Sequence, residues 1–113
     1  MRLRTDFWVA AYLRTRNRDR AAAVLRRRGA AEAGAIFIKV DCLDGRAALF
    51  GPAPQTEATD DGERRFVRTH VDPYLEPHEV EARLRREIGF DEDLWIVEFE
   101  TADGDPAVEI VTL

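Results

Sequence analysis

The stretch 35–51, AIFIKVDCLDGRAALFG, constrains the fold of this chain more than any other. Side chains alternate faces along a strand, so Ile36, Ile38, Val40 and Cys42 fall on one side and Phe37, Lys39 and Asp41 on the other. Asp44-Gly45 follows, a pair suited to a type I′ turn because both central residues need positive φ. A two-residue loop sets Leu43 opposite Arg46. It then pairs Cys42 with Ala47, Val40 with Leu49 and Ile38 with Gly51, joining the apolar faces into one sheet surface. Every other segment has to cover or extend that surface.

A chain of 113 residues, 45% of them hydrophobic, can bury one core, so 1–113 is expected to be a single domain. No apolar run approaches the roughly 20 residues of a membrane span, and the start of the chain lacks a signal peptide's cleavage pattern. The expectation is a cytoplasmic protein with no membrane partner. The single cysteine, Cys42, has no internal disulfide partner and reads as a small hydrophobe on the apolar strand face.

Charge is distributed unevenly. Residues 1–28 hold nine arginines against Asp6 and Asp19, a balance of +7, while the other 85 residues carry −12. This polarity fits either two halves that neutralise each other in the fold, the reading favoured here, or a basic patch for nucleic acid or an acidic partner. Within it, Arg26, Arg27 and Arg28 form the candidate binding cluster, able to position phosphates if they gather on one edge.

Thr5 is placed to cap a helix over about 6–16, where Phe7, Trp8, Val9, Tyr12 and Leu13 predict burial nearly all round. Residues 21–28 suit helix by their alanines, but Gly29 and Gly34 behind them weigh for a strand. The stretch 52–63, proline-containing and then acidic, reads as a long surface loop, and 64–71 as an exposed strand. His70 and Asp72 stand two apart without a second histidine or cysteine cluster to complete a ligand set. Pro77 opens a second helix with Val80, Leu84 and Ile88 as its stripe. Gly89 is expected to end it, with Phe90 folding back on Leu84, while Glu79–Arg83 and Glu81–Arg85 pair along a solvated face.

The chain closes with LWIVEFE and AVEIVTL, read as a second hairpin in which Trp95, Val97 and Phe99 meet Val108 and Ile110. The opposite face would then collect Glu98, Glu100 and Glu109, which need exposure, an arginine or a divalent metal. As the last strand, 107–113 would present an unprotected apolar edge. A homodimer through that edge, or a cover from the Arg-rich N-terminal segment, would resolve it.

The segments DFWVAAYLR, RRG followed by AGAIFIKV, GPAPQ, ERRF and FDEDLWIVEFE resemble, in this order, a family of short bacterial proteins, domain of unknown function 1491. The resemblance implies a stand-alone cytoplasmic domain and carries over no catalytic residue.

The fold expected is α+β, an antiparallel sheet of five or six strands with both helices packed on one face. No catalytic residue and no cofactor is assigned, because no nucleophile–base pair or phosphate loop is visible. The functional expectation is a non-enzymatic interaction module with a protein partner or, less favoured, nucleic acid. The alternative is a metal-dependent hydrolase acting on a phosphate-containing substrate through Glu98, Glu100 and Glu109.

Overall fold

The computed structural model describes residues 3–18, 22–54 and 63–112. Two helices, α1 (Thr5–Asn17) and α2 (Pro77–Phe90), accompany five strands: β1 (Ala22–Arg27), β2 (Ile36–Asp41), β3 (Ala47–Pro52), β4 (Phe66–Arg68) and β5 (Trp95–Glu100). The strands form one sheet in the order β1-β5-β2-β3-β4. Strand β5 runs antiparallel to β1 but parallel to β2, matching Ile36 with Trp95 through to Asp41 with Glu100. The sheet is therefore mixed, which corrects the expectation of a purely antiparallel one. The cause is the insertion of β5 between β1 and β2, reached by the α2 crossover from the far edge.

Central strands need cover on both faces, and the two helices divide the task. Val9 and Tyr12 of α1 pack with Ile36, Ile38, Val40, Ala48, Phe50, Trp95 and Val97. Val80 and Leu84 of α2 pack instead with Phe37, Ala47, Leu49, Leu94 and Ile96. Since neighbours along a strand point to opposite faces, α1 and α2 lie on opposite sides of the sheet, not on one side as expected. Burial of all five residues from Ile36 to Val40 is the consequence.

The central hairpin is offset by one residue from the expected register. Ile38 pairs with Phe50, Lys39 with Leu49 and Val40 with Ala48, and the Cys42 N–H donates to the Arg46 carbonyl at 3.0 Å. Three residues rather than two make the loop, with Leu43 (φ 67°) and Gly45 (φ 90°) both left-handed. A shift of one flips side chains to the other face, so Leu49 joins the α2 side while Ala48 and Phe50 join the α1 side.

Local signals were partly overridden. Arg4, not Thr5, is the N-cap of α1, and the buried Thr5 hydroxyl donates to the Gly34 carbonyl at 3.2 Å. Phe7 is 55% exposed, so α1 is buried along one stripe only. Residues 22–27 form a strand as expected. Helix α2 runs past Gly89, and Phe90 is exposed instead of folding back on Leu84. The strand foreseen over 64–71 shortens to Phe66–Arg68. Of the loop read over 52–63, residues 55–62 lie outside those described.

The expected C-terminal hairpin does not form. After β5 the chain crosses to the opposite edge, where Phe66 and Ile110 make an isolated parallel bridge held by Phe66 N–H to Glu109 O and Val111 N–H to Phe66 O, both 2.9 Å. Tyr12 secures this path by donating its hydroxyl to the Pro106 carbonyl at 2.8 Å. Strand β5 is unreachable for residues 107–112 because β1 and β2 occupy both its edges. No helix among the described residues is long and apolar enough to cross a membrane.

The insertion of β5 demands close backbone approach beside it. A Cβ on Gly29 would lie 2.1 Å from the Asp93 carbonyl oxygen, a backbone atom unable to swing aside. Gly29→Ala is therefore expected to cost about 3 kcal/mol of stability in urea titration. A loss below about 0.5 kcal/mol would show that the 29–34 segment yields.

Candidate functional site

Among the described residues, a linked group of four ionisable side chains sits between α2 and the sheet. Strand β1 breaks its pairing between Leu25 and Arg27, leaving Arg26 at an irregularity of the ladder, a device that re-aims a side chain. Its guanidinium grips Glu81 of α2 through both amino groups, at 2.7 and 3.1 Å, and reaches Glu98 of β5 at 2.6 Å. Lys39 of β2, 6% exposed, sets its Nζ 2.7 Å from Glu81 and 3.7 Å from Glu98. Two cations thus alternate with two anions. A buried ammonium is tolerated only with such compensation.

Electrostatics follow the geometry. The Arg26 hydrogen bond, seconded by Lys39, holds the Glu81 carboxyl down to about 2. The same pairing raises Arg26 above its ordinary value. Glu81 therefore belongs to a partly exposed network between helix and sheet rather than to the solvated i,i+4 pair with Arg85 that helical spacing suggested.

The expected binding cluster does not assemble. Arg26 turns to the α2 side, Arg27 donates to the Glu92 carbonyl at 2.7 Å, and Arg28 lies over the Trp95 ring at 5.2 Å. The three carboxylates of the alternative reading are also not brought together. Glu98 and Glu100 share β5, while Glu109 sits beyond β4 and pairs with Arg65 at 3.2 Å. Among the described residues no group of three or more histidine, cysteine, aspartate or glutamate side chains is disposed to hold a metal ion.

Other groups suited to chemistry are held by the fold. His70 accepts the Leu49 N–H on Nε2 at 3.1 Å and turns Nδ1 to the Asp72 carbonyl at 2.7 Å, which assigns the proton to Nδ1. Burial lowers its pKa, and Arg68 and Arg83 add to this against the Asp72 hydrogen bond. The partner is the backbone of Asp72, not its carboxylate. Cys42 is buried, and desolvation pushes its thiol up, away from the thiolate a nucleophile needs. Trp8 and Tyr12 stack at 5.2 Å within the core, and Trp8 also meets Phe66. His78 is exposed, with its Nδ1 3.2 Å from Glu76.

A cleft of about 300 Å³ opens at the sheet end where β2 begins and β3 finishes, lined among others by Gly34, Ile36, Pro52, Phe66, Arg64 and Arg65. Its cations also act as straps. Arg64 donates to the Leu3 carbonyl and the Thr5 hydroxyl at 2.9 and 3.0 Å, while Arg65 meets Glu109. Sequence reading missed the charge network. The available signal was a lone lysine within the apolar run IFIKV, which has to find an anion if both strand faces are covered.

A mixed five-stranded sheet with one helix on each face defines a small α+β class, and comparison places the chain within it. The sequence matches the family described as "Protein of unknown function (DUF1491)" over residues 3–109, and the chain belongs to that family. Similar solved structures include protein Atu0922 from A. tumefaciens, with 38% identity, TM-score 0.84 and coverage of 100% of this chain and 98% of that one. A crystal structure of a DUF1491 family protein from Caulobacter crescentus CB15 shares 32% identity at TM-score 0.79, covering 99% of this chain and 100% of that one. No curated protein matches the sequence.

Two stability measurements probe Glu81 and His70. Glu81→Gln removes the negative charge 2.7 Å from Lys39 and leaves it the 3.7 Å ion pair with Glu98, and should cost about 2 kcal/mol near neutral pH. Because the folded pKa lies below the ordinary 4.5, this contribution is complete above that value and is lost as pH falls towards 2. Wild type and variant should converge in acid, and a constant gap would locate the effect in packing. For His70 the lowered folded pKa means that the unfolded chain takes up protons first, so stability drops as pH falls below about 6.5. The acid-side loss in urea titrations between pH 7 and 5 should be smaller in His70→Gln, and identical slopes would contradict the assignment.

Proposed function

We propose that this protein is a non-enzymatic interaction module of the bacterial cytoplasm whose partner is a protein. The observation that carries the reading is the employment of His70: both ring nitrogens serve the backbone of β3 and of the turn at Asp72, leaving no proton site to offer a substrate. The Arg26, Lys39, Glu81 and Glu98 network agrees with this, since its charges balance internally and bind helix to sheet. A protein partner is favoured over nucleic acid by the dispersal of Arg26, Arg27 and Arg28, because a phosphate footprint needs its cations on one surface. The overall charge of −5 points the same way.

Mild cross-linking of native cells, followed by sizing of the extract with and without nuclease, tests this. The expected result is a discrete protein complex unchanged by nuclease. Migration at the mass of the isolated chain, or a complex that nuclease dissolves, would overturn it.

A further inference from the structure

The outer face of α1 is the part of the described surface whose composition the fold does not explain. Thr5, Val9 and Tyr12 turn inward. Phe7, Ala10, Ala11, Arg14 and Arg18 recur at helical spacing on the other side, where Phe7 is 55% exposed and Ala10, Arg14 and Arg18 are exposed. Leu3, 48% exposed, precedes them, and the Arg4 guanidinium lies 5.1 Å from the Phe7 ring centre. The helix has one carboxylate, Asp6, already engaged by Arg4 at 3.2 Å and by the Phe7 N–H at 2.8 Å. An aromatic knob therefore stands beside two alanines that admit a close backbone, with arginines at both ends.

We propose that this face docks an amphipathic helical segment of another protein, one whose apolar ridge is flanked by glutamates or aspartates. The proposal rests on the reading of the chain as a protein-interaction module and supplies its surface and partner chemistry. Charge complementarity selects the occupant. A second copy would set Arg4, Arg14 and Arg18 against their own duplicates, with the one carboxylate of each helix, Asp6, already engaged by Arg4. A nucleic acid would set its phosphates against Phe7 and the alanines, where they gain nothing. An acidic amphipathic helix satisfies both the ring and the guanidiniums.

The test uses the full chain and a synthetic peptide with a leucine ridge flanked by glutamates, its glutamine counterpart, and a mixed-sequence oligonucleotide. The acidic peptide should bind at low salt, and Phe7→Ser or the pair Arg14→Glu with Arg18→Glu should weaken it about tenfold or more. All three side chains involved are exposed, so thermal midpoints should stay unchanged. Equal binding of the glutamine peptide, tighter binding of the oligonucleotide, or self-association abolished by Phe7→Ser would each overturn the proposal. A photo-crosslinking residue placed at position 7 or at position 90, where Phe90 is 87% exposed at the end of α2, separates this face from the broader reading. Adducts at 7 that disappear with Arg14→Glu and Arg18→Glu support the docking face. Adducts at 90 alone, or at neither position, overturn it and leave the interaction module to stand or fall on the sizing experiment.

Discussion

The parallel pairing of β5 with β2 is the constraint on which the rest of the structure depends. Parallel neighbours cannot be joined by a tight turn, so the chain must leave one edge, cross a face and re-enter the sheet. Helix α2 makes that crossing, and its Val80 and Leu84 cover the face it traverses. The opposite face then needs its own cover, which α1 provides through Val9 and Tyr12. The connection from β1 to β2 also has to step across β5, two strand spacings of about 4.8 Å each. This accounts for the eight residues spent at 28–35 and for the tight fit of Gly29 against Asp93.

Covering both faces makes a charged residue on a central strand costly, and Lys39 occupies that position. Removing an ammonium from water demands several kcal/mol of compensation. Glu81 comes from the helix above, Glu98 from the parallel neighbour and Arg26 from the irregular edge of β1. Each of the three elements that the crossover brings together supplies one member. Apolar side chains in these positions would bury more cheaply, whereas the ion pairs tie α2 to β1 and β2 at named atoms. It couples the helix, the inserted strand and the edge strand in one electrostatic unit.

Much of the secondary structure was legible because local signals and tertiary demands agreed. Pro77 at the first position and the Val80, Leu84, Ile88 spacing located α2, and alternation located β2 and β3. What misled was topology. The runs IFIKV and LWIV are apolar on both faces, the mark of central strands, yet pairing each with its sequence neighbour treated them as half-buried. That single choice produced the wrong partner for β5, one covered face instead of two, and three glutamates gathered on a hairpin that does not exist. The one-residue register error has a different origin, the left-handed Leu43, which no turn preference signals. The site was less legible still, because Arg26, Lys39, Glu81 and Glu98 come from four separate elements and only the topology unites them.

Edge protection follows from the same topology and bears on where recognition can occur. At one end of the sheet Asn17 sets its carboxamide against Ala23, donating to the carbonyl and accepting from the N–H, both at 2.9 Å, as a neighbouring strand would. At the other end residues 109–111 bond to Phe66 of β4 and occupy that edge. Both edges are thus partly occupied by short pieces of the same chain, which disfavours strand addition. With the faces under helices, the edges blunted and the Arg26, Lys39, Glu81 and Glu98 charges balanced against one another, the surfaces left open are the outer sides of the helices. Of the two, α2 commits Glu81 inward and carries both signs along its exposed side, whereas α1 presents an aromatic ring among arginines. The asymmetry of charge along the sequence therefore survives folding only in part: the Arg26 share is offset by Glu81 and Glu98, and the α1 share remains at the surface.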